Sequence, residues 1–286
     1  MAPLSQDKPR RERLAYDTIN RSPNIVDEYN ASPTKEHTAS KGSTFHKEQL
    51  PTLDQVACPN REHIPTAVEV INSDAFSVAR NIMASDPARK VAVLNLASDL
   101  LPAGPWLQDM TTTQEEALCY SSTLYITLES QEDHYPWPNL GEGCVAGIYS
   151  PGVVIFRDDL DHECVELPLD GRRVVSVITV AAPRWSDLTP DQAFADPATL
   201  GDLREKIRLV YRMAAHNGQE YLVLGAMGCG AYACPPRFVA AEMRDILLEP
   251  EFRGWFKKVV FAIYSRPTNG PGNFGIFEEV LKGVEV

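Results

Sequence analysis

The sequence lacks the features that would place the protein at a membrane or on a nucleic acid. No apolar run approaches the roughly 20 residues needed to cross a bilayer, and the first residues carry no apolar signal-peptide core. Basic residues are few, since 27 Lys and Arg stand against 39 Asp and Glu and give a net charge of −12. A negative protein repels phosphate-rich surfaces, so we expect neither nucleic acid nor membrane as a partner. We expect an intracellular protein, cytoplasmic or nuclear.

Metal-binding motifs are also lacking. The six cysteines form no C-x-x-C pair, and His162, Glu163 and Cys164 have no second pair of ligands at zinc spacing. Free, buried thiols are therefore the expected state of the cysteines. We predict no metal, and nothing in the sequence requires a redox cofactor.

The chain divides by composition into a polar N-terminal part and a larger apolar part. Apolar residues at helical spacing predict a short helix over 10–19. Residues 22–49 have too few large apolar side chains to offset the entropy of ordering, so we expect a mobile or externally draped segment. We predict that residues 1–63 are an N-terminal helix with a polar, partly mobile extension. Residues 64–286 then form the functional domain.

From residue 64 onward, apolar runs of four to eight residues alternate with helical patterns. Buried strands are predicted at 67–71, 91–97, 174–182, 221–226 and 259–264. Helices are predicted at 75–84 after an Asp74 cap, at 203–216 after an Asp202 cap, and at 237–248. This alternation predicts an α/β fold with a mixed, largely parallel sheet sandwiched by helices.

An insert between the second and third strands has a different pattern. Short apolar runs at 146–149, 153–157 and 164–167 are separated by turn residues, Pro-Gly in one gap and Asp-Asp in the other. This pattern predicts antiparallel strands at the edge of the sheet.

Two loops follow predicted strands at the edge where open α/β sheets bind ligands. The first loop covers residues 98–106 and the second covers 227–232. Gly225, Gly228 and Gly230 permit positive φ and close backbone approach, so N–H groups of the second loop could cradle a phosphate. A tight turn is the alternative. The glycines form no G-x-G-x-x-G and no Lys-Ser/Thr follows them, so a dinucleotide oxidoreductase or P-loop is unsupported.

The start of the next helix is a further candidate feature. Thr113 and Glu116 fit a capping box before an amphipathic helix predicted over 117–128, and acidic residues in a first turn suit the helix dipole. Spacing alone favours a structural cap. The position of these carboxylates, eight residues after the first loop's Ala-Gly-Pro, places them at the mouth of a ligand cleft, which favours a functional role.

The order of these motifs resembles a known enzyme family. Residues 103–105 (Ala-Gly-Pro) followed after eight residues by 114–116 (Gln-Glu-Glu) resemble poly(ADP-ribose) glycohydrolase of the bacterial and fungal type, which has a triple-glycine loop before Gln-Glu-Glu. Blocks at 146–153, 177–183 and 224–232 follow in the family's order, and 10–17 resembles its N-terminal helix. The resemblance implies a macrodomain-like core that binds ADP-ribose between the two loops.

The resemblance also assigns catalytic roles. Glu116 matches the catalytic glutamate, Glu115 its substrate-positioning neighbour, and Gln114 the residue that steadies the pair. Cleavage of a ribose–ribose O-glycosidic bond needs an acid for the departing hydroxyl and a base for water, which one glutamate can supply in turn. Repulsion from Glu115 would raise the proton affinity of Glu116. The implied activity is hydrolysis of poly(ADP-ribose) to release ADP-ribose.

The resemblance further implies the ligand contacts. Residues 228–231 match a diphosphate loop, and Tyr232 matches an aromatic residue that orders the distal ribose. Asn273 and Phe274 stand where the family often stacks adenine, with core packing as the alternative for the ring. The expected contacts are Gln114, Asn95, Ser98, Ala103, Gly104, Pro105, Gly228, Cys229, Gly230, Ala231, Tyr232, Asn273 and Phe274. The expected partners are ADP-ribose, poly(ADP-ribose) or ADP-ribosylated proteins.

The first loop departs from the family's pattern. Ala103 adds a Cβ, and Pro105 removes one N–H donor and fixes φ. Losing a donor to a charged oxygen costs about 1.5–3 kcal/mol. Ser98 stands where many macrodomains carry a ribose-contacting Asn. Beside hydrolysis, the sequence therefore leaves open a non-catalytic reader of ADP-ribose and, third, a macrodomain that binds another nucleotide.

Overall fold

A mixed β-sheet forms the centre of the computed structural model, which describes residues 3–31, 40–60, 62, 64–266, 270 and 272–286. Its strands are β1 (Thr44–His46), β2 (Glu69–Ile71), β3 (Val91–Leu96), β4 (Gly147–Ile155), β5 (Arg173–Val180), β6 (Tyr221–Leu224) and β7 (Lys258–Ala262). The spatial order is β1-β4-β5-β3-β6-β7-β2. The strands from β5 to β2 are parallel, whereas β4 is antiparallel to both β5 and β1. The predicted mixed, largely parallel sheet is confirmed.

Helices cover both faces of this sheet. They are α1 (Lys8–Asn30), α2 (Ala75–Ile82), α3 (Trp106–Asp109), α4 (Gln114–Ser121), α5 (Leu124–Glu129), α6 (Pro197–His216), α7 (Pro236–Leu247) and α8 (Gly272–Leu281). In β3, Ala92 and Leu94 pack in the core that includes α6, α7 and α8, whereas Val91 and Val93 pack in the core that includes α2 and α4. Alternate side chains point to opposite faces, so a strand buried on both faces is apolar throughout.

The antiparallel direction predicted for the insert is confirmed, but its division into short strands at the edge of the sheet is wrong. Residues 147–155 form one strand, β4, which lies inside the sheet between β1 and β5. The Pro-Gly pair lies at a β-bulge, where the register with β5 shifts between Ser150 and Val153 and Gly152 takes a φ of 81°. A bulge uses the same residue types as a turn, so composition did not separate them. Residues 164–167 form no strand, and Glu166 makes an isolated bridge to Arg157.

The polar N-terminal segment has more regular structure than predicted. Helix α1 continues to Asn30 instead of ending at residue 19, and residues 44–46 form β1. Ile25 and Val26 are buried against Val154 and Phe156, so a few apolar side chains suffice where the sheet covers them. An irregular segment over 22–49 is therefore wrong for 22–30 and 44–46, while 32–39 lie outside the described residues. The predicted boundary after residue 63 stays a prediction.

Two predicted helices have different ends. The cap of α6 is Asp196, which accepts the Ala198 N–H, and not Asp202, which accepts the Gly141 N–H at 2.8 Å. The helix predicted over 117–128 is broken between α4 and α5, because the Ser121 carbonyl accepts N–H groups from the chain that follows β4.

No helix in the described ranges has the length and apolar character needed to cross a membrane.

Candidate active site

The loops after β3, β5 and β6 meet at one edge of the sheet. These strands are parallel neighbours, so their carboxyl ends bring residues 97–105, 181–185 and 225–232 together. Helix α4 begins at the same edge. The structure therefore places the two predicted loops and the Gln-Glu-Glu segment at one site.

Gln114 ties the first turn of α4 to the end of β3. Its side-chain oxygen accepts the backbone N–H of Leu96 at 2.9 Å, and its Nε2 donates to the carbonyl of Leu94 at 2.8 Å. The side-chain amide of Gln114 thus bonds an N–H and a carbonyl of the β3 backbone, as the backbone of a neighbouring strand would. Its contacts orient the helix that carries the two glutamates.

Glu115 is the carboxyl that lies against the first loop. Its Oε1 accepts from Asn95 Nδ2 at 2.9 Å, and its Oε2 accepts the backbone N–H of Ser98 at 2.8 Å. A Cβ on Gly104 would lie 3.4 Å from Oε2. Burial raises the pKa of Glu115 to about 8 despite these donors, and the charge of Glu116 adds a smaller increase. Glu115 therefore holds a proton at neutral pH.

Glu116 is fully buried and closes the cap of α4. Its Oε2 accepts the Thr111 hydroxyl and the Thr113 backbone N–H, so the predicted capping box is confirmed. Its Oε1 is buried and has no hydrogen-bond partner among the described residues. Burial is the main cause of the raised pKa of Glu116, with a contribution from Asp109. The expected rise in the pKa of Glu116 is therefore present, but burial is its main cause and the repelling charge is that of Asp109, not that of Glu115.

The first loop uses two of its backbone donors internally and lacks a third. The Gly104 N–H bonds the Leu101 carbonyl at 2.9 Å, the Trp106 N–H bonds the Ala103 carbonyl at 3.3 Å, and Pro105 has no N–H. Ala103 and Gly104 take φ values of 59° and 55°. This left-handed conformation costs an alanine about 1–2 kcal/mol. Gly104 and Pro105 therefore offer a ligand close backbone approach rather than N–H donors.

The second loop, in contrast, has unused donors. Gly228 takes a φ of 73°, and a Cβ there would come within 2.6 Å of neighbouring side chains, so the turn requires glycine. The N–H groups of Gly230 and Ala231 donate to no acceptor within the described chain, and both residues are exposed. Successive free N–H groups form a concave site for an anion.

A buried aspartate that was not predicted supports the second loop. Asp99 accepts from the Tyr232 hydroxyl at 2.9 Å, from Arg184 Nη1 at 2.7 Å and from Asn139 Nδ2 at 3.1 Å. The Asn139 carbonyl accepts from the fully buried Lys206, whose pKa burial lowers. The Tyr232 hydroxyl is thus committed to Asp99. The signal in the sequence that could have identified Asp99 was a single aspartate shortly after a predicted buried strand.

Trp185 is a second residue that sequence reasoning missed. Its side chain is held by an Nε1 donor bond to the Ala231 carbonyl at 2.8 Å and by edge contact with Tyr232, with ring centroids 6.0 Å apart. The Arg184 guanidinium lies 5.8 Å from the indole centroid. Trp185 is nevertheless 67% exposed. An open, oriented indole face is a surface on which a planar base can stack.

Asn273 and Phe274 begin α8 beside the second loop. Asn273 Nδ2 donates to the carbonyl of Cys229 at 3.2 Å, so the structure brings this residue to the site. Phe274 is half-buried against the hydrophobic core. Part of the Phe274 ring is therefore packed in the core.

Five of the six cysteines and one acidic group lie outside this arrangement, whereas Cys229 belongs to the second loop. All six cysteines are free and five are buried, as predicted. Among the described residues, Asp158, Asp159 and His162 have potential ligand atoms within 4.8 Å of one another. Asp158 already accepts from Arg80, and Asp159 from Ser77, each at 2.8 Å. These bonds hold the turn after β4 against α2.

Comparison with known proteins identifies relatives that share this architecture. A family model, microbial-type PARG, catalytic domain, matches residues 23–158. Poly(ADP-ribose) glycohydrolase (PARG) from Thermomonospora curvata superposes with a TM-score of 0.73 at 26% identity, covering 94% of this chain and 98% of that one. The same enzyme bound to the inhibitor ADP-HPD gives 0.71 at 27% identity, with 94% and 98% coverage.

A more similar sequence is found among the solved structures. PARG from Deinococcus radiodurans in complex with ADP-ribose gives a TM-score of 0.63 at 35% identity, covering 78% of this chain and 86% of that one. No curated protein sequence gives a significant match. The macrodomain-like fold expected from the sequence is confirmed by these superpositions. Because identity above one third extends over most of both chains and the fold is shared, this chain belongs to the microbial-type poly(ADP-ribose) glycohydrolase family.

Proposed function

We propose that this protein hydrolyses the ribose–ribose O-glycosidic bonds of poly(ADP-ribose) and releases ADP-ribose. One observation carries the proposal: two buried carboxyls and a glycine loop with free N–H groups lie at the same edge of the sheet. The substrate requires both, because a sugar is cleaved while a neighbouring diphosphate is held. The relatives support it, since PARG from D. radiodurans binds ADP-ribose. The polymer on ADP-ribosylated proteins, in the cytoplasm or nucleus, is the substrate we propose.

The second loop binds the diphosphate in this proposal. The free N–H groups of Gly230 and Ala231 supply donors without any added positive charge, which suits a protein of net charge −12. Asp99 holds the loop through Tyr232. Trp185 offers its indole face to a base of the ligand.

The two glutamates divide the work. Both oxygens of Glu115 are occupied by Asn95 and Ser98, so its carboxyl is fixed and positions the ribose. Glu116 has one unpartnered oxygen and a raised pKa, so it can carry the proton that is transferred. It protonates the glycosidic oxygen as the C–O bond breaks, so that the leaving ribose departs with a hydroxyl, and its carboxylate then accepts a proton from the water that bonds to the anomeric carbon. Because Glu116 is fully buried beside Thr111 and Thr113, the chain around it must move for substrate to reach its free oxygen.

A specific observation favours a second candidate function. The first loop has no free donor at Gly104 or Pro105, and Glu116 is engaged in a helix cap. A protein with this loop could bind ADP-ribose through the second loop without cleaving it. The second candidate is therefore a non-catalytic reader of ADP-ribose or its polymer.

Incubation with labelled poly(ADP-ribose), with released ADP-ribose measured by chromatography, separates the two candidates. The wild-type protein should release ADP-ribose, and Glu116→Gln should lower the rate about 10²- to 10⁴-fold. Glutamine also completes a capping box, so this variant keeps the cap of α4. Exposed Glu12→Gln is the matched control and should keep full activity.

Calorimetry with ADP-ribose completes the test. Glu116→Gln should bind ADP-ribose within about threefold of wild type, since the second loop is unchanged. Binding by wild type without release of product would support the reader. Absence of binding up to about 1 mM ADP-ribose would overturn both candidates.

A further inference from the structure

A cavity lies at the end of the sheet opposite the two glutamates. It has a volume of about 520 Å³ and opens between the end of α1 and the first residues of β3 and β5. Val91 of β3 lines this cavity, whereas Leu96, at the other end of the strand, contacts Gln114. The five residue steps between them span about 16 Å. The cavity is therefore separate from the candidate active site.

Three cationic side chains line this cavity without a carboxylate partner in the described part of the chain: Arg89, Lys90 and Arg173. Arg89 donates to the Ile82 carbonyl and Arg173 to the Asp170 carbonyl, each at 2.6 Å, and these acceptors are neutral. The Nε of Arg173 is buried and has no hydrogen-bond partner among the described residues. The lining thus has both unneutralised charge and an unused donor.

The acidic residue in the lining does not cancel these charges. Glu28 is paired with Arg172 at 2.7 Å and with Arg21 at 2.8 Å, and hydrogen bonds from these two arginines lower its pKa. Arg172 also pairs with Glu166 at 2.9 Å. The cavity therefore remains positive in a protein whose net charge is −12. Clustered like charges cost stability unless an anion occupies the space between them.

Most of the remaining lining is apolar, although Ser176 and Gln219 also contribute to it. Val174, which is half-buried, and Leu169, which is 72% exposed, form apolar walls, whereas Ile25 and Val154 are each only 1% exposed. A solvated cluster of surface cations would not require such walls. The volume lies in the range of pockets that bind small organic ligands, which are mainly apolar with a few placed polar groups.

We propose that this cavity binds a small organic phosphate. Arg89, Lys90 and Arg173 hold the phosphate oxygens, because guanidinium groups match phosphate geometry with paired donors. A flat apolar body of the ligand packs against Val174 and Leu169. The site does not depend on the proposed hydrolysis, since it uses neither the glutamates nor the two loops.

Calorimetry on the full chain tests the site with naphthyl phosphate as the probe. Naphthyl phosphate should bind with a Kd about tenfold or more below that of pyrophosphate or of naphthol, which carry only the charge or only the ring. Lys90→Gln with Arg173→Gln should weaken binding about tenfold. Arg253→Gln with Lys282→Gln removes the same charge from exposed positions and should leave Kd within about twofold.

Several outcomes would overturn the proposal. These are no binding of naphthyl phosphate up to about 1 mM, unchanged affinity in the Lys90 and Arg173 double variant, or displacement of the probe by saturating ADP-ribose. If the double variant has a lower Tm than wild type, its weaker binding could come from a disturbed fold. The binding measurement is then made with Lys90→Gln alone, because Lys90 is exposed and its replacement leaves the fold intact. This single variant should bind about threefold more weakly, and an unchanged Kd would count against the site.

Discussion

We expect Glu115→Gln to change how the stability of the protein depends on pH. Burial raises the pKa of Glu115 to about 8 in the folded protein, whereas an unfolded glutamate has a pKa of about 4.3. Between these values the unfolded chain releases a proton that the folded protein keeps. The contribution of Glu115 to stability is therefore complete below about pH 4 and is lost as the pH rises to about 8.

The size of the effect follows from the width of this pH window. Each pH unit inside it lowers the free energy of unfolding by about 1.4 kcal/mol, so the loss from pH 5 to pH 8 is about 3–4 kcal/mol. Glutamine does not titrate, and the variant lacks this loss. Its amide nitrogen cannot accept from Asn95 or Ser98, which costs about 1–3 kcal/mol at every pH. The free energy of unfolding of the variant, relative to that of wild type, should therefore increase by about 3–4 kcal/mol as the pH rises from 5 to 8. The cost of the lost hydrogen bond is the same at every pH and does not change this difference.

Urea unfolding followed by fluorescence of the four tryptophans measures this difference at pH 5, 6, 7 and 8. Glu12→Gln, at an exposed position, is the control and should follow wild type. If the curves for Glu115→Gln and wild type stay parallel within about 1 kcal/mol across this range, Glu115 is ionised in the folded protein. Its description as a protonated, positioning carboxyl would then be wrong.

Further variants test the two loops and Trp185. Gly228→Ala should lower Tm by several degrees, because its Cβ would lie 2.6 Å from Ala182 and Cys234 at a φ of 73°, and an unchanged Tm in calorimetry would contradict this tight turn. Ala103→Gly with Pro105→Gly restores one N–H donor and should increase ADP-ribose affinity about tenfold, whereas an unchanged Kd would show that Pro105 does not weaken the site. Trp185→Ala should weaken ADP-ribose binding about tenfold at constant Tm, with Trp185→Phe restoring most of the affinity, and equal affinity in all three proteins would exclude stacking on this ring.

Local properties of the sequence were enough to determine much of the fold and the outline of the site. The apolar runs at β3, β5, β6 and β7 predicted strands buried on both faces. Successive side chains of a strand point to opposite faces, so an uninterrupted apolar run has apolar side chains on both. Cap and turn residues placed Gln114, Glu115 and Glu116 in the first turn of a helix, and Gly228 in a turn with positive φ. These features depend on backbone geometry within a few residues.

The tertiary structure alone decided the features that depend on distant residues. Helix α1 extends to Asn30 because Val154 and Phe156 cover its apolar side chains. The Pro-Gly pair forms a bulge because β4 pairs with β5 both before and after it. Asp99 meets Arg184 and Tyr232 across separations of 85 and 133 residues. The pKa of Glu115 depends on how completely the fold excludes water from it. Burial and contact are properties of the packed chain, so no local pattern specifies them.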